Sequence, residues 1–342
     1  MAKVKVGVAG YGVIGQRLAD GVARQEDMEL VGVADLMPTL SIRALHEKGM
    51  PYDLYLVDGA DKAQFDACGI PVAGSFEDLC KKVDIMLDSS PGGVGIKNKE
   101  VYYTKYGVKA IFQGGEKNEV ADVFFHGYAN FEQGIDANYL KLTSCNTTGL
   151  IRAVDCIDRA KGVEKVAITI IRRCADPGDY HRGLTNALEI HPAPNHQALD
   201  LMTIMPHIDA TGILVNTPVT HGHIITAMVT PKEDITKEEL LDMFRKHPRI
   251  RVVSLAEGFK GNASLFRYAR DLGNPRGDMY EIAVWEDTVI KSGRDIMFAI
   301  NIPQEAIVIP ENIDGIRAAL HMHETADEAR EATNKYLGMK AR

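Results

Sequence analysis

The segment from Val4 to Gly15 constrains the fold more than any other part of the chain. Val4-Lys5-Val6-Gly7-Val8-Ala9 reads as a buried parallel strand. It runs into Gly10-Tyr11-Gly12-Val13-Ile14-Gly15, a G-x-G-x-x-G pattern, and then into a helical stretch over 16–23. A second apolar strand over 30–34 ends at Asp35, 20 residues past Gly15. Strand, glycine turn, helix and a strand closed by an acid together make the dinucleotide-binding fingerprint. In it Gly10 permits the tight turn, Gly12 lets the backbone approach a pyrophosphate, and Gly15 allows close packing of helix on strand. The pyrophosphate would rest on the free N–H groups at the helix start. Asp35 stands where a carboxylate holds the adenosine ribose hydroxyls and repels a 2′-phosphate, which favours NAD over NADP.

Further apolar strands keep the alternation with helices. One over 84–88 runs into Ser89-Ser90-Pro91-Gly92-Gly93, and one over 108–112 leads to Gln113-Gly114-Gly115. Small-residue loops after the strands of an open α/β sheet are where ligands sit. The stretch 97–106 between them reads as a helix, which gives βαβ wiring with a right-handed crossover. The second half is different. A β-branched strand over 165–171 and strand-like runs at 213–215, 219–229 and 292–302 point to a mixed sheet, with an amphipathic helix at 238–246. A last helix over 312–322 places Ile313, Ile316 and Leu320 on one face, suited to packing against another surface.

Composition excludes several partners. The 342 residues hold 47 acids against 39 Lys and Arg, a formal net charge of -8, with no long basic run, so nucleic acid is not the expected partner. No apolar run approaches the roughly 18 residues of a membrane span. The start reads as a strand rather than a signal peptide. The five cysteines show no CxxC pair. Reduced thiols in a cytoplasm are the expectation.

One cysteine stands apart. Ser144-Cys145-Asn146-Thr147-Thr148-Gly149-Leu150 is a polar, small-residue turn that opens a helix. At a helix N-terminus, free N–H groups and the macrodipole favour the thiolate and lower its pKa. The same groups would stabilise an oxyanion if a carbonyl carbon arrived. This is the outline of covalent catalysis at a carbonyl. Arg172 and Arg173, at a strand end, make a plausible anion clamp. Asn195-His196-Gln197 follows a Pro-rich loop of the kind that carries binding residues. His221 and His223, read as i and i+2 of one strand, would face the same way. No third ligand accompanies them, so metal is not expected. Spacing alone does not choose a base for Cys145 among 11 histidines.

These residues point to a family. GYGVIGQRLAD at 10–20, KAIFQGGEK at 109–117, SCNTTGL at 144–150, RRCADP at 172–177 and IVIPENIDGIRA at 307–318 resemble the archaeal-type (type II) phosphorylating glyceraldehyde-3-phosphate dehydrogenases, nearly end to end. The resemblance implies a cytoplasmic homotetramer of glycolysis or gluconeogenesis. It implies a Rossmann domain over 1–140, completed by a C-terminal helical segment within 303–342, and an α+β catalytic domain with a mixed or antiparallel sheet over 141–302. It makes Cys145 the nucleophile and His221, the first of the H-x-H pair, its base. Ser144 and Asn146 would flank the thiol in the substrate site. Arg173 would lie near cofactor and substrate. Arg172, His196 and Gln197 would contribute to phosphate binding, and Val13, Ile14, Gly115 and Gln304 to cofactor contacts. The substrates it implies are glyceraldehyde 3-phosphate and inorganic phosphate, oxidised with NAD or NADP to 1,3-bisphosphoglycerate through a thioester.

Three positions depart from the family pattern. Asp35 stands where Lys often favours NADP, His196 is followed by Gln197 rather than a second His, and Cys174 replaces a Gly. Two rival readings exist. A semialdehyde or acyl-phosphate reductase would share the Rossmann–Cys–His plan with a different substrate. A nucleotide-binding redox sensor would oxidise Cys145 instead of acylating it, but would leave the paired arginines and the 195–197 loop unexplained.

Overall fold

A computed structural model describes residues 3–113, 115–173, 188–303 and 305–342. The chain divides into two compact units, 1–142 with 309–337, and 143–308 with 338–342.

The first unit is a parallel sheet. Its strands are β1 (Val4–Ala9), β2 (Met28–Asp35), β3 (Asp53–Leu56), β4 (Gly74–Ser75), β5 (Ile85–Asp88), β6 (Lys109–Phe112), β7 (Val123–Phe125) and β8 (Tyr139–Leu142), in the spatial order β4-β3-β2-β1-β5-β6-β8-β7. Every pairing is parallel. The central strands are buried on both faces, which is why they read as continuous apolar runs rather than alternating ones. Strand order reverses between β1 and β5, whose carboxyl ends flank the ligand crevice of such sheets. The Ile309–Ala319 helix, buried along its whole length, lies against the Val13–Ala23 helix and the β6 and β8 strands. Its Arg317 donates to Asp27 and Gln25, tying it to the turn before β2.

The second unit is a mixed sheet of β9 (Val163–Arg173), β10 (Glu189–Ile190), β11 (Asp209–Thr217), β12 (His223–Pro231), β13 (Ile250–Val253), β14 (Ile282–Trp285), β15 (Ile290–Ser292) and β16 (Asp295–Ile302). The order is β10-β11-β9-β12-β16-β14-β13, with β15 on β16. β11 runs parallel to β9, and β12 antiparallel to both β9 and β16. One face packs on the Cys145–Lys161 helix. Its fully buried Arg152 donates to the Tyr280 and Ile307 carbonyls at 2.6 and 2.7 Å, fixing the helix with a cation whose N–H groups meet carbonyl oxygens. On the other face Ile171, Ile213, Met228, Ile290 and Met297 are exposed, on strands joined side by side in register. No helix among the described residues is long and apolar enough to cross a membrane.

Candidate active site

In the first unit the glycine turn does what its sequence demands. A β-carbon on Gly15 would sit 1.8 Å from the Gly10 carbonyl oxygen, so only glycine lets helix and turn meet. A β-carbon on Gly12 would meet nothing within 4 Å. That open space lies at the start of the Val13–Ala23 helix, whose N-cap is Gly12 with no side chain capping it and no acid in its first turn. The uncapped N–H groups of that turn, with Val13 and Ile14 leading it, are suited to a pyrophosphate.

Asp35, at the carboxyl end of β2, accepts the Tyr11 N–H at 2.8 Å and the Leu36 N–H at 2.6 Å. Its carboxylate is therefore held beside the glycine turn. Residues 36–42 bring no Lys or Arg, and Leu36, Met37 and Leu40 are exposed there. Buried Asp88, at the end of β5, accepts from the Tyr103 hydroxyl, the Asn98 amide and the Ser90 N–H. Ser89 Oγ lies 3.0 and 2.8 Å from the Ala9 and Gly10 carbonyls. Glu116 accepts the N–H groups of Gly93 and Gly95 at 2.8 Å each, which joins the loops after β5 and β6. Gly115 lies in this stitched region.

In the second unit Cys145 is the first residue of the Cys145–Lys161 helix. Ser144 caps it, with Oγ accepting the Thr147 N–H at 3.3 Å. The Asn146 N–H points to the sulfur. Cys145 Sγ lies 3.7 Å from His223 Nε2. His223 is buried, the first residue of β12, and its Nδ1 accepts the Arg173 backbone N–H at 3.1 Å.

The surroundings set the charge states. Burial pushes the Cys145 thiol up to about 11, against the pull of Arg173, Arg172 and the Asn146 N–H, with Glu305 adding to the rise. Burial, then Arg173 and Arg172, hold the His223 ring down at about 3, so it stays neutral at physiological pH. Beside the thiol, Thr147 Oγ1 donates to Asp200 at 3.1 Å, linking the Cys145 helix to the His196–Ile204 helix. Asn195 caps that second helix by accepting the Ala198 N–H. His196 Nε2 and Gln197 Nε2 are 2.8 Å apart. Buried Asn146 Oδ1 and Gln197 Oε1 have no hydrogen-bond partner among the described residues.

Residues 144–288 match the family model of the glyceraldehyde 3-phosphate dehydrogenase C-terminal domain. A glyceraldehyde-3-phosphate dehydrogenase of Methanosarcina barkeri is 38% identical over 341 residues, 99% of this chain and 99% of its own length. One of Hyperthermus butylicus is 41% identical over 341 residues, 99% of this chain and 98% of that protein. The chain belongs to the glyceraldehyde-3-phosphate dehydrogenase family. Among solved structures, aspartate semialdehyde dehydrogenase II from Vibrio cholerae shares the fold, with a TM-score of 0.63 at 16% identity over 93% of this chain and 98% of that one.

Set in that family, the structure corrects the reading of the H-x-H pair. His223, not His221, meets Cys145. His221 is exposed, its Nδ1 is 3.0 Å from Thr220 Oγ1, and its ring stacks edge-on against Phe266. The reason is Gly222. It has φ +71, and a β-carbon there would lie 2.8 Å from the Ile302 carbonyl oxygen. This left-handed residue breaks the two-residue alternation, and β12 starts only after it. The thiol pKa also runs against the expected lowering: burial outweighs the pull of the arginines and the Asn146 N–H.

The two arginines separate. Arg173 donates to the Thr220 carbonyl at 3.0 Å and to Glu305 at 2.6 Å, and it is buried. Its guanidinium thus ties the segment just before His223 to the turn after β16. Arg172 is half-buried, forms no ion pair among the described residues, and still acts on both Cys145 and His223. The expected cofactor contact Gln304 and the substitution Cys174 lie outside the described residues. No group of three or more His, Cys, Asp and Glu among the described residues is arranged to hold a metal.

Two contributors escaped the sequence reading. Glu305, next to Gln304, had no motif to mark it. Asp88 closes its strand as Asp35 does, and that shared position was the available signal.

Proposed function

We propose that the chain is a phosphorylating glyceraldehyde-3-phosphate dehydrogenase that prefers NAD. The 3.7 Å approach of His223 Nε2 to the Cys145 sulfur, at a helix start, is the observation that carries the reading.

In this mechanism the Cys145 thiolate attacks the aldehyde carbon of glyceraldehyde 3-phosphate. The N–H groups at the helix start and His223 stabilise the resulting oxyanion. Bound nicotinamide supplies the hydride acceptor, leaving a thioester on Cys145. Inorganic phosphate attacks the thioester, 1,3-bisphosphoglycerate departs and the thiolate returns. Arg172 supplies a guanidinium for phosphate. Ser144 and Asn146 flank the reacting carbon, and His196 and Gln197 line the start of the neighbouring helix. The NAD preference rests on Asp35, which presents a carboxylate where a 2′-phosphate would need a cation. Val13, Ile14 and the glycines 10, 12, 15 and 115 would cradle the rest of the cofactor.

A homotetramer suits the exposed apolar face of the second sheet. Ile171, Ile213, Met228, Ile290 and Met297 form a patch of the kind that a second copy of the chain covers. The test is NAD reduction with glyceraldehyde 3-phosphate in the presence and absence of phosphate or arsenate. The reading expects sustained turnover only with the oxyanion, and no comparable rate with aspartate semialdehyde. Turnover that ignores phosphate would end the phosphorylating mechanism.

A further inference from the structure

Asn98 Nδ2 and the Tyr103 hydroxyl donate to one oxygen of buried Asp88, at 2.9 and 2.6 Å, from positions five residues apart on one helical run. On an α-helix, at 3.6 residues per turn, such positions point about 140° apart. The stretch Lys99–Tyr103 is instead a π turn, in which the Thr104 N–H reaches back to the Lys99 carbonyl. A wider turn of this rare kind brings residues five apart onto one face. Burial and then the Asp88 charge hold the Tyr103 hydroxyl well above its ordinary range, so it keeps the hydrogen that it donates. The other Asp88 oxygen accepts the Ser90 N–H at 3.0 Å. Asp88 forms no ion pair among the described residues, so these hydrogen bonds meet its charge. A buried carboxylate without a cation is a poor source of stability. What it does is gather donors from a loop and a helix around the end of β5.

That point lies where strand order reverses between β1 and β5. The loop that leaves it, Ser89–Gly93, is held along its length. The Ser89 hydroxyl donates to the Ala9 and Gly10 carbonyls, Asp88 takes the Ser90 N–H, and Glu116 takes the Gly93 N–H at 2.8 Å. The loop lies so close to the glycine turn that a β-carbon on Gly10 would sit 3.1 Å from the Ser89 carbonyl oxygen. A pyrophosphate at the start of the Val13–Ala23 helix, with its adenosine drawn toward Asp35 at the end of β2, leaves one direction for the rest of a dinucleotide. It extends to the other side of β1, over the loop that follows β5.

We propose that Asp88 is a positioning residue for the nicotinamide half of the cofactor. Its carboxylate, gripped by the π turn, sets the Ser89–Gly93 loop as the wall of the crevice opposite Asp35. This assignment rests on the cofactor reading above.

Isothermal titration of the full chain separates the two halves of the cofactor without turnover. The ligands are ADP, which carries the adenosine and pyrophosphate parts alone, and whichever of NAD and NADP the wild type binds more tightly. Asp88→Asn sets an amide N–H against one of the donors. It should weaken dinucleotide binding about tenfold, the scale of one hydrogen bond to a charged group. ADP binding should stay within about twofold, as for a site that shares no partner with the change. Asp88→Asn combined with Asn98→Asp restores the match, because the amide oxygen at 88 takes the Ser90 N–H and its N–H turns to the carboxylate at 98. That double variant should return to within about threefold of wild type. Tyr103→Phe keeps the buried ring and removes one donor, so the same selective loss is expected at about threefold; it decides the question if Asp88→Asn fails to fold. Equal weakening of dinucleotide and ADP would show a merely structural role and overturn the proposal. Unchanged dinucleotide binding in the single variants, or no recovery in the double variant, would overturn it as well. A wild-type chain that binds the dinucleotide but does not oxidise glyceraldehyde 3-phosphate would end the functional reading alone and leave this comparison standing.

Discussion

Arg173 and Glu305 form an ion pair at 2.6 Å, on the strand end whose backbone N–H faces His223. The pair has two opposed effects. Glu305 holds the Arg173 guanidinium in place, yet its negative charge pushes the Cys145 thiol up. Glu305→Gln should therefore lower stability by about 2 kcal/mol, the scale of a hydrogen bond to a charged group. It should also make the thiol more acidic. Urea unfolding and the pH dependence of Cys145 alkylation check the two halves, and a less acidic thiol would contradict the electrostatic account.

Arg172 acts on the thiol in the other direction, lowering its pKa. Arg172→Gln should slow Cys145 alkylation at pH 8. It should also raise KM for glyceraldehyde 3-phosphate or for phosphate by about tenfold or more, the scale of one charge-assisted hydrogen bond. Unchanged KM values for both would remove Arg172 from phosphate binding.

Acid should weaken the fold through His223. Its ring is held at about 3 in the folded chain, against 6.5 for the ordinary group. Between those values the unfolded chain binds a proton that the folded chain refuses, so stability falls as pH drops from about 6.5 toward 3. The loss from this group is several kcal/mol, up to about 5 at its limit. His223→Gln should flatten the stability curve over that window in denaturant titrations. An unchanged slope would mean that other groups set it.

Asp35→Ser removes the carboxylate that faces the glycine turn. KM for NAD should rise by about tenfold to a hundredfold, the scale of lost ribose hydrogen bonds, and KM for NADP should fall. A wild-type enzyme that strongly prefers NADP would contradict the role given to Asp35.

The sequence made the first unit legible because its signals are local. Gly10 through Gly15, followed by Asp35, report backbone requirements that no distant residue alters, and the fold meets them at the same positions. The second sheet was readable in outline, since β-branched runs such as 165–171 mark strands wherever they pair. The site within it was less readable. His221 and His223 looked equivalent until Gly222 took a left-handed conformation. Arg172 and Arg173 looked like one clamp, but the strand buries Arg173 against Thr220 and Glu305 and leaves Arg172 half-buried, with no ion pair among the described residues. The direction of the thiol shift depends on how deeply Cys145 is buried, which is a property of packing and not of its neighbours in sequence.

The central claim is an acyl group on Cys145. Wild-type enzyme mixed with NAD and glyceraldehyde 3-phosphate in phosphate-free buffer, quenched in acid and measured by mass spectrometry, tests it most directly. A burst of about one NADH per chain, with a 3-phosphoglyceroyl adduct on the Cys145 peptide that phosphate discharges, is the expected result. Steady NADH production without an adduct, or an adduct on another residue, would contradict it.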